Sequence, residues 1–140
     1  MLEPVVFEAM PQKNSGDCAV VCLCMLLGRP YAEVFAACPK RGRPEWNGLS
    51  NRQIQNVAAR LGHQLNYFDV TKHRAWLDDN AGVGILDLDH DKHEGHYVMW
   101  SKGTIYNPAQ NEHWTDLDAF LARRANEGRY SVAGLLWRVK

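Results

Sequence analysis

The chain has 140 residues, 46% of them apolar and 23% charged, and its 16 basic residues balance 16 acidic ones. That length suits a single domain spanning the whole chain, able to bury about two-thirds of its unfolded surface without disulfide staples. Zero formal charge argues against nucleic acid or an anionic membrane as a general partner, and an apolar run of only about ten residues argues against membrane insertion.

The N-terminus, Met1 to Phe7, carries Glu3 and Pro4 and no basic stretch. It does not read as a secretory signal, so a cytoplasmic location is expected. Met1 to Pro11 reads as extended, with Val5-Val6-Phe7 as a short strand. Asp17 then offers a helix cap, Cys18 to Leu27 carries no charge, and Gly28-Arg29-Pro30 ends the run. A cap, an apolar run, then Gly and Pro is the punctuation of a helix. Being apolar on every side, this helix belongs in the middle of the fold. Cys18 would sit in its first turn, where the positive end of the helix dipole favours thiolate over thiol.

Tyr31 to Ala37 predicts a shorter helix starting after Pro30. Pro39 to Pro44 is basic and rich in breakers, and reads as a solvated loop. Ser50 and Gln53 have capping-box spacing, and Ile54, Val57, Ala58 and Leu61 recur at helical intervals before Gly62. A strand within His63 to Val70 and a short helix within Thr71 to Asp79 come next. Val83 to Leu88 reads as a buried strand and Asp89 to Gly95 as a charged loop. His96 opens a second strand through Tyr97-Val98-Met99-Trp100, Ser101 to Thr104 turns tightly, and Ile105 to Asn107 forms a third strand closed by Pro108. Leu117, Phe120 and Leu121 mark a helix, and Val132 to Val139 a last strand. Helices first and an antiparallel sheet after them give the class α+β.

Four cysteines, Cys18, Cys22, Cys24 and Cys38, are too crowded for an extracellular disulfide framework. The last three read as small apolar packing residues. Cys18 differs by its position. Thiol chemistry needs a nucleophilic cysteine, a histidine to take and return a proton, a group orienting that histidine, and donors for the oxyanion. The Cys18 backbone N–H is one such donor, and Gln12, in the loop upstream, is a natural second. Among the six histidines, His96 stands out because a hairpin containing Asn107 follows it. A two-residue Lys102-Gly103 turn would put His96, Val98, Trp100, Ile105 and Asn107 on one sheet face, with His96 and Asn107 as diagonal neighbours. A three-residue turn would put them on opposite faces. Each residue alone is more often structural; together and in this order they point to a thiol hydrolase.

His90, His93 and His96 stand in an acidic loop that invites a zinc reading, but their spacing matches no finger or zincin pattern. No metal or organic cofactor is implied.

Gln12, then Cys18 opening an apolar helix, resembles the papain-like cysteine peptidases. The closest likeness is to the bacteriocin-processing, double-glycine leader peptidases and their stand-alone relatives. Gly48-Leu49-Ser50 leading into Val57-Ala58-Ala59-Arg60-Leu61-Gly62 resembles that family's second helical segment. His96-Tyr97-Val98-Met99 and Tyr106-Asn107-Pro108-Ala109 resemble its histidine and Asp-Pro motifs. The resemblance implies a papain-like fold, in which an N-terminal helical part contributes a central buried helix packed on a C-terminal antiparallel sheet. It also implies Cys18 as nucleophile, His96 as general base and acid, Asn107 as the orienting group and Gln12 as an oxyanion donor. Asn107 stands where this family more often has Asp, and Ala19 where it commonly has Gly. The substrate would be a peptide or protein. With no membrane span of its own, the chain would act alone or with a separate protein partner. Two alternatives stay open: a catalytically weak or inactive peptide-binding domain of the same fold, or a thiol amidase, acyltransferase or deubiquitinase-like hydrolase.

Overall fold

All ten residues of the first helix, α1 (Cys18–Leu27), are buried, and the other elements are laid around them. The structure is a computed structural model that describes residues 7–12, 16–39, 48–79, 82–91, 95–123 and 129–139, without the side chains of residues 78 and 79. Val5 and Val6 of the expected first strand, and residues 40–44 of the expected basic loop, lie outside the described residues. Phe7 itself is in no strand.

Asp17 occupies the N-cap position of α1 but does not cap it with its side chain. Its carboxylate instead accepts a hydrogen bond from the Tyr31 hydroxyl at 2.9 Å. The far end of α1 stops at Gly28, whose φ of 66° is left-handed and whose N–H closes on the Cys24 carbonyl. That conformation strains any residue with a Cβ, so glycine punctuates here for a steric reason. The chain then bends by 117° into α2 (Tyr31–Ala37). Among the described residues no single helix is long and apolar enough to cross a membrane.

Helix α3 (Asn51–Arg60) begins with the expected capping box. Gln53 N–H donates to Ser50 Oγ at 3.2 Å and Ser50 N–H donates to Gln53 Oε1 at 2.9 Å. Its inward stripe is Ile54, Val57 and Ala58.

Six described strands form one sheet: β1 (Leu65–Asp69), β2 (Val83–His90), β3 (His96–Ser101), β4 (Thr104–Asn107), β5 (Glu112–Trp114) and β6 (Tyr130–Arg138). The order is β1-β6-β2-β3-β4-β5, and every neighbouring pair is antiparallel. On one face, Leu65, Ile85, Met99, Tyr106 and Leu136 pack with residues of α1 and α3. On the other, Leu86, Leu88, Val98, Trp100, Ile105 and Leu135 pack with Leu77 of α4 (Arg74–Asp79) and with Leu117 and Phe120 of α5 (Leu117–Arg123). Burial on both faces explains why β2 reads as an almost unbroken apolar run rather than an alternation. The class is α+β.

Two expectations need correction. His113, which follows the expected strand closed by Pro108 and reads as loop, lies in β5, which pairs with β4. The charged segment begins later than expected, because Asp89 and His90 continue β2 opposite Ser131 and Tyr130. In both places a polar sequence conceals strand, because pairing with a neighbour satisfies the backbone whatever the side chains are.

Candidate active site

The β3–β4 turn decides what its strands can bring together. Lys102 and Gly103 both have positive φ, 51° and 86°, the signature of a two-residue type I′ connection. Ser101 pairs with Thr104, Trp100 with Ile105 and Met99 with Tyr106. Of the two registers left open by the sequence, this one puts His96 and Asn107 on the same face. They meet there, with His96 Nε2 and Asn107 Oδ1 2.8 Å apart.

The chemistry around Asn107, which is fully buried, fixes which way its amide points. Oδ1 also accepts from the Ala109 backbone N–H at 3.2 Å. On the other side, Nδ2 donates to Glu112 Oε1 at 3.3 Å. A backbone N–H can only donate and a carboxylate can only accept, so the reverse orientation would set two like groups against each other. With Oδ1 facing it, His96 Nε2 must carry the proton. Its Nδ1 is then left with a lone pair, as a general base requires.

Cys18 lies at the start of α1 and is 8% exposed. The sulfur receives the backbone N–H groups of Tyr97 and Ala19, which stabilise the thiolate. Tyr97 directly follows His96, so the thiol is at the end of β3 that carries the imidazole. The balance nevertheless differs from the dipole expectation. Burial, the largest effect, pushes the Cys18 thiol up, and the neighbouring Asp17 charge pushes the same way. Desolvation of a small anion outweighs these backbone hydrogen bonds here. The net effect raises the Cys18 pKa above the ordinary cysteine value.

Gln12 joins the same corner through its backbone, whose N–H donates to the Pro108 carbonyl at 2.9 Å. That bond ties the loop before α1 to the residue after Asn107. Backbone contacts thus link these segments in pairs, Gln12 to the residue after Asn107 and Cys18 to the residue after His96.

The other cysteines behave as packing residues. Cys22 is wholly buried and its thiol is pushed well above the ordinary range by that burial. Cys38 donates to the Val34 carbonyl at 3.2 Å, a bond within its own helical turn. Other histidines have other surroundings. His63 lies 3.4 Å from Arg29 Nη2, and burial together with Arg138 and Arg29 lowers its pKa. His73 packs on Phe68, His90 on Tyr130 and His113 on Tyr106. Among the described residues no three His, Cys, Asp or Glu side chains gather as metal ligands, and His93 of the zinc reading lies outside them.

Sequence reading missed a partly buried polar network next door. Asp87, the cross-strand partner of Tyr97, accepts from Asn51 Nδ2 at 2.9 Å and from the Tyr67 hydroxyl at 3.2 Å. The Tyr97 hydroxyl donates to Asn51 Oδ1 at 2.7 Å, joining α3 to the sheet beside Cys18. A carboxylate set between the apolar residues Leu86 and Leu88 was the available signal. Burial raises the Asp87 pKa despite both hydrogen bonds. A carboxyl raised above its unfolded value favours the folded state most in acid, and that advantage disappears as pH rises through the folded pKa. Asp87→Asn keeps the acceptor and removes the charge. Its stability relative to the wild type should therefore improve from about pH 4 to about pH 7. Urea denaturation at both pH values checks this, and a difference that does not change with pH would sink it.

Compared with known proteins, the chain matches no family model and no curated sequence.

Proposed function

We propose that the chain is a papain-like thiol hydrolase that cleaves a peptide bond, with Cys18 as nucleophile. The observation that carries this reading is the 2.8 Å bond between His96 and Asn107, whose polarity leaves Nδ1 with a lone pair on the residue before Tyr97, whose backbone N–H meets the Cys18 sulfur. With the thiol pKa raised by burial, Nδ1 takes the Cys18 proton as the sulfur attacks the carbonyl. The imidazolium then passes that proton to the leaving amine, and a thioester remains. Water, deprotonated by the same nitrogen, releases the acyl group.

The oxyanion is held by the Cys18 backbone N–H, which has no partner within α1 at this position, and by the Gln12 side-chain amide. Asn107 keeps the imidazole in the required tautomer. The likeness of these segments to double-glycine leader peptidases supports a peptide or protein substrate, and no metal or organic cofactor enters any step. The same thioester serves amidases, acyltransferases and deubiquitinase-like hydrolases, which differ in the group that accepts the acyl.

The second reading is a peptide-binding domain of this fold with weak or no catalysis. A cysteine that is 8% exposed, its thiol pKa raised by burial and by Asp17, favours it. Incubation with a diverse synthetic peptide library, read by mass spectrometry, separates the two. Hydrolysis is expected with the wild type and none with Cys18→Ala. Equal cleavage by both proteins, or no cleavage by either, overturns the peptidase reading.

A further inference from the structure

Asn107 faces Glu112 directly across the β4–β5 ladder, and the consequence reaches the imidazole. We propose that Glu112 is a positioning residue that holds His96 in its Nε2–H tautomer by fixing the orientation of the Asn107 amide. The inference deepens the thiol-hydrolase reading and rests on it for the role of His96.

An asparagine is a poor tautomer selector by itself. Unlike aspartate, it presents an acceptor on one side and a donor on the other, and the two orientations are nearly equal in shape. Turned over, its amide would donate to His96 Nε2. The ring proton would then move to Nδ1, and no lone pair would remain to accept the thiol proton. Something must therefore forbid the turn. The Ala109 N–H on Oδ1, at 3.2 Å, is one restraint. Glu112 Oε1, at 3.3 Å from Nδ2, is the other, and it alone is both charged and incapable of donating.

Glu112 is itself held. Arg123 Nη1 lies 3.4 Å from its second oxygen, and the Arg123 guanidinium stacks 5.2 Å over the Trp114 ring. Arg123 is 61% exposed and Glu112 20%, so the pair itself adds little stability. Its effect is directional, keeping one carboxylate oxygen turned toward Asn107. A carboxylate is thereby returned to the site one hydrogen bond behind the imidazole's partner. The inverse arrangement, with Asp at 107, would bring two carboxylates together across the ladder and raise the pKa of one of them.

The test is the tautomer itself, read from side-chain ¹⁵N shifts of His96 at about pH 8.5, where an ordinary imidazole is neutral. The wild type is expected to show Nε2–H alone. Glu112→Ala should give a mixture of tautomers, and Glu112→Lys, which offers Asn107 only a donor, should shift the ring toward Nδ1–H. An Nδ1–H wild type overturns the inference without any variant. So does a Glu112→Ala protein that keeps pure Nε2–H. These outcomes do not depend on catalysis. If the tautomer responds as expected while peptide hydrolysis is absent, the hydrolase reading fails and the positioning role stands. If hydrolysis is present and the tautomer does not respond, only the role of Glu112 falls.

Discussion

His96→Ala is expected to slow alkylation of Cys18 by iodoacetamide at about pH 7.5 by at least about tenfold, and to cut any peptide hydrolysis by about 10²- to 10⁴-fold. The thiol is pushed up by burial and by Asp17, so little thiolate exists at neutral pH unless a base shares its proton. In the variant the reaction depends on free thiolate alone. Its rate should climb about tenfold per pH unit until the raised thiol pKa is reached. The wild-type rate, with Nδ1 available, should rise less steeply. Mass spectrometry resolves Cys18 from Cys22, Cys24 and Cys38, of which Cys22 is fully buried and the others 2% exposed. Those three serve as internal references and should stay unlabelled in both folded proteins. Identical pH profiles for wild type and variant would mean that His96 does not act on the sulfur. That result would favour the peptide-binding reading.

Gly95→Ala should have the second large effect, and through geometry rather than chemistry. A Cβ at Gly95 would collide with the backbone carbonyl of Leu88. That carbonyl belongs to β2, which is buried and paired on both sides, so it cannot retreat. The start of β3 must move instead, and the next residue is His96. A misplacement of about 1 Å in a catalytic group can cost about 10²-fold in rate, whereas local overpacking costs about 1–3 kcal/mol. Hydrolysis and Cys18 alkylation should therefore fall well before the fold is lost. Thermal denaturation beside alkylation kinetics checks this. Full reactivity in a destabilised variant would show that the collision is absorbed elsewhere.

The placement of Asn107 illustrates how far a register argument carries. Lys102-Gly103 was recognisable as a two-residue turn, and the positive φ values of 51° and 86° are what that turn requires. Once it is fixed, side-chain alternation forces His96 and Asn107 to one face. The electrostatics of Cys18 went the other way. A helix dipole can be read from position in the sequence, but desolvation depends on what the fold packs around the sulfur, and desolvation dominates here.

The sequence by itself determined the local features. Helix α1 followed from an uncharged run between Asp17 and Gly28, α3 from the Ser50–Gln53 box, and the β3–β4 hairpin from a two-residue turn. Each rests on residues close along the chain, where backbone sterics and short-range hydrogen bonds decide. Only the tertiary structure decided that β6 inserts between β1 and β2, since strand order depends on which apolar faces meet. It alone recruited β5, a three-residue strand too short for any period to register. With β5 came Glu112 against the Asn107 amide. The Asp87 network likewise joins α3, β1, β2 and β3, elements whose proximity no local pattern encodes. Helix, cap and turn are chain-local choices; the partners of Asn107 and the protonation of Cys18 are set by neighbours that only folding supplies.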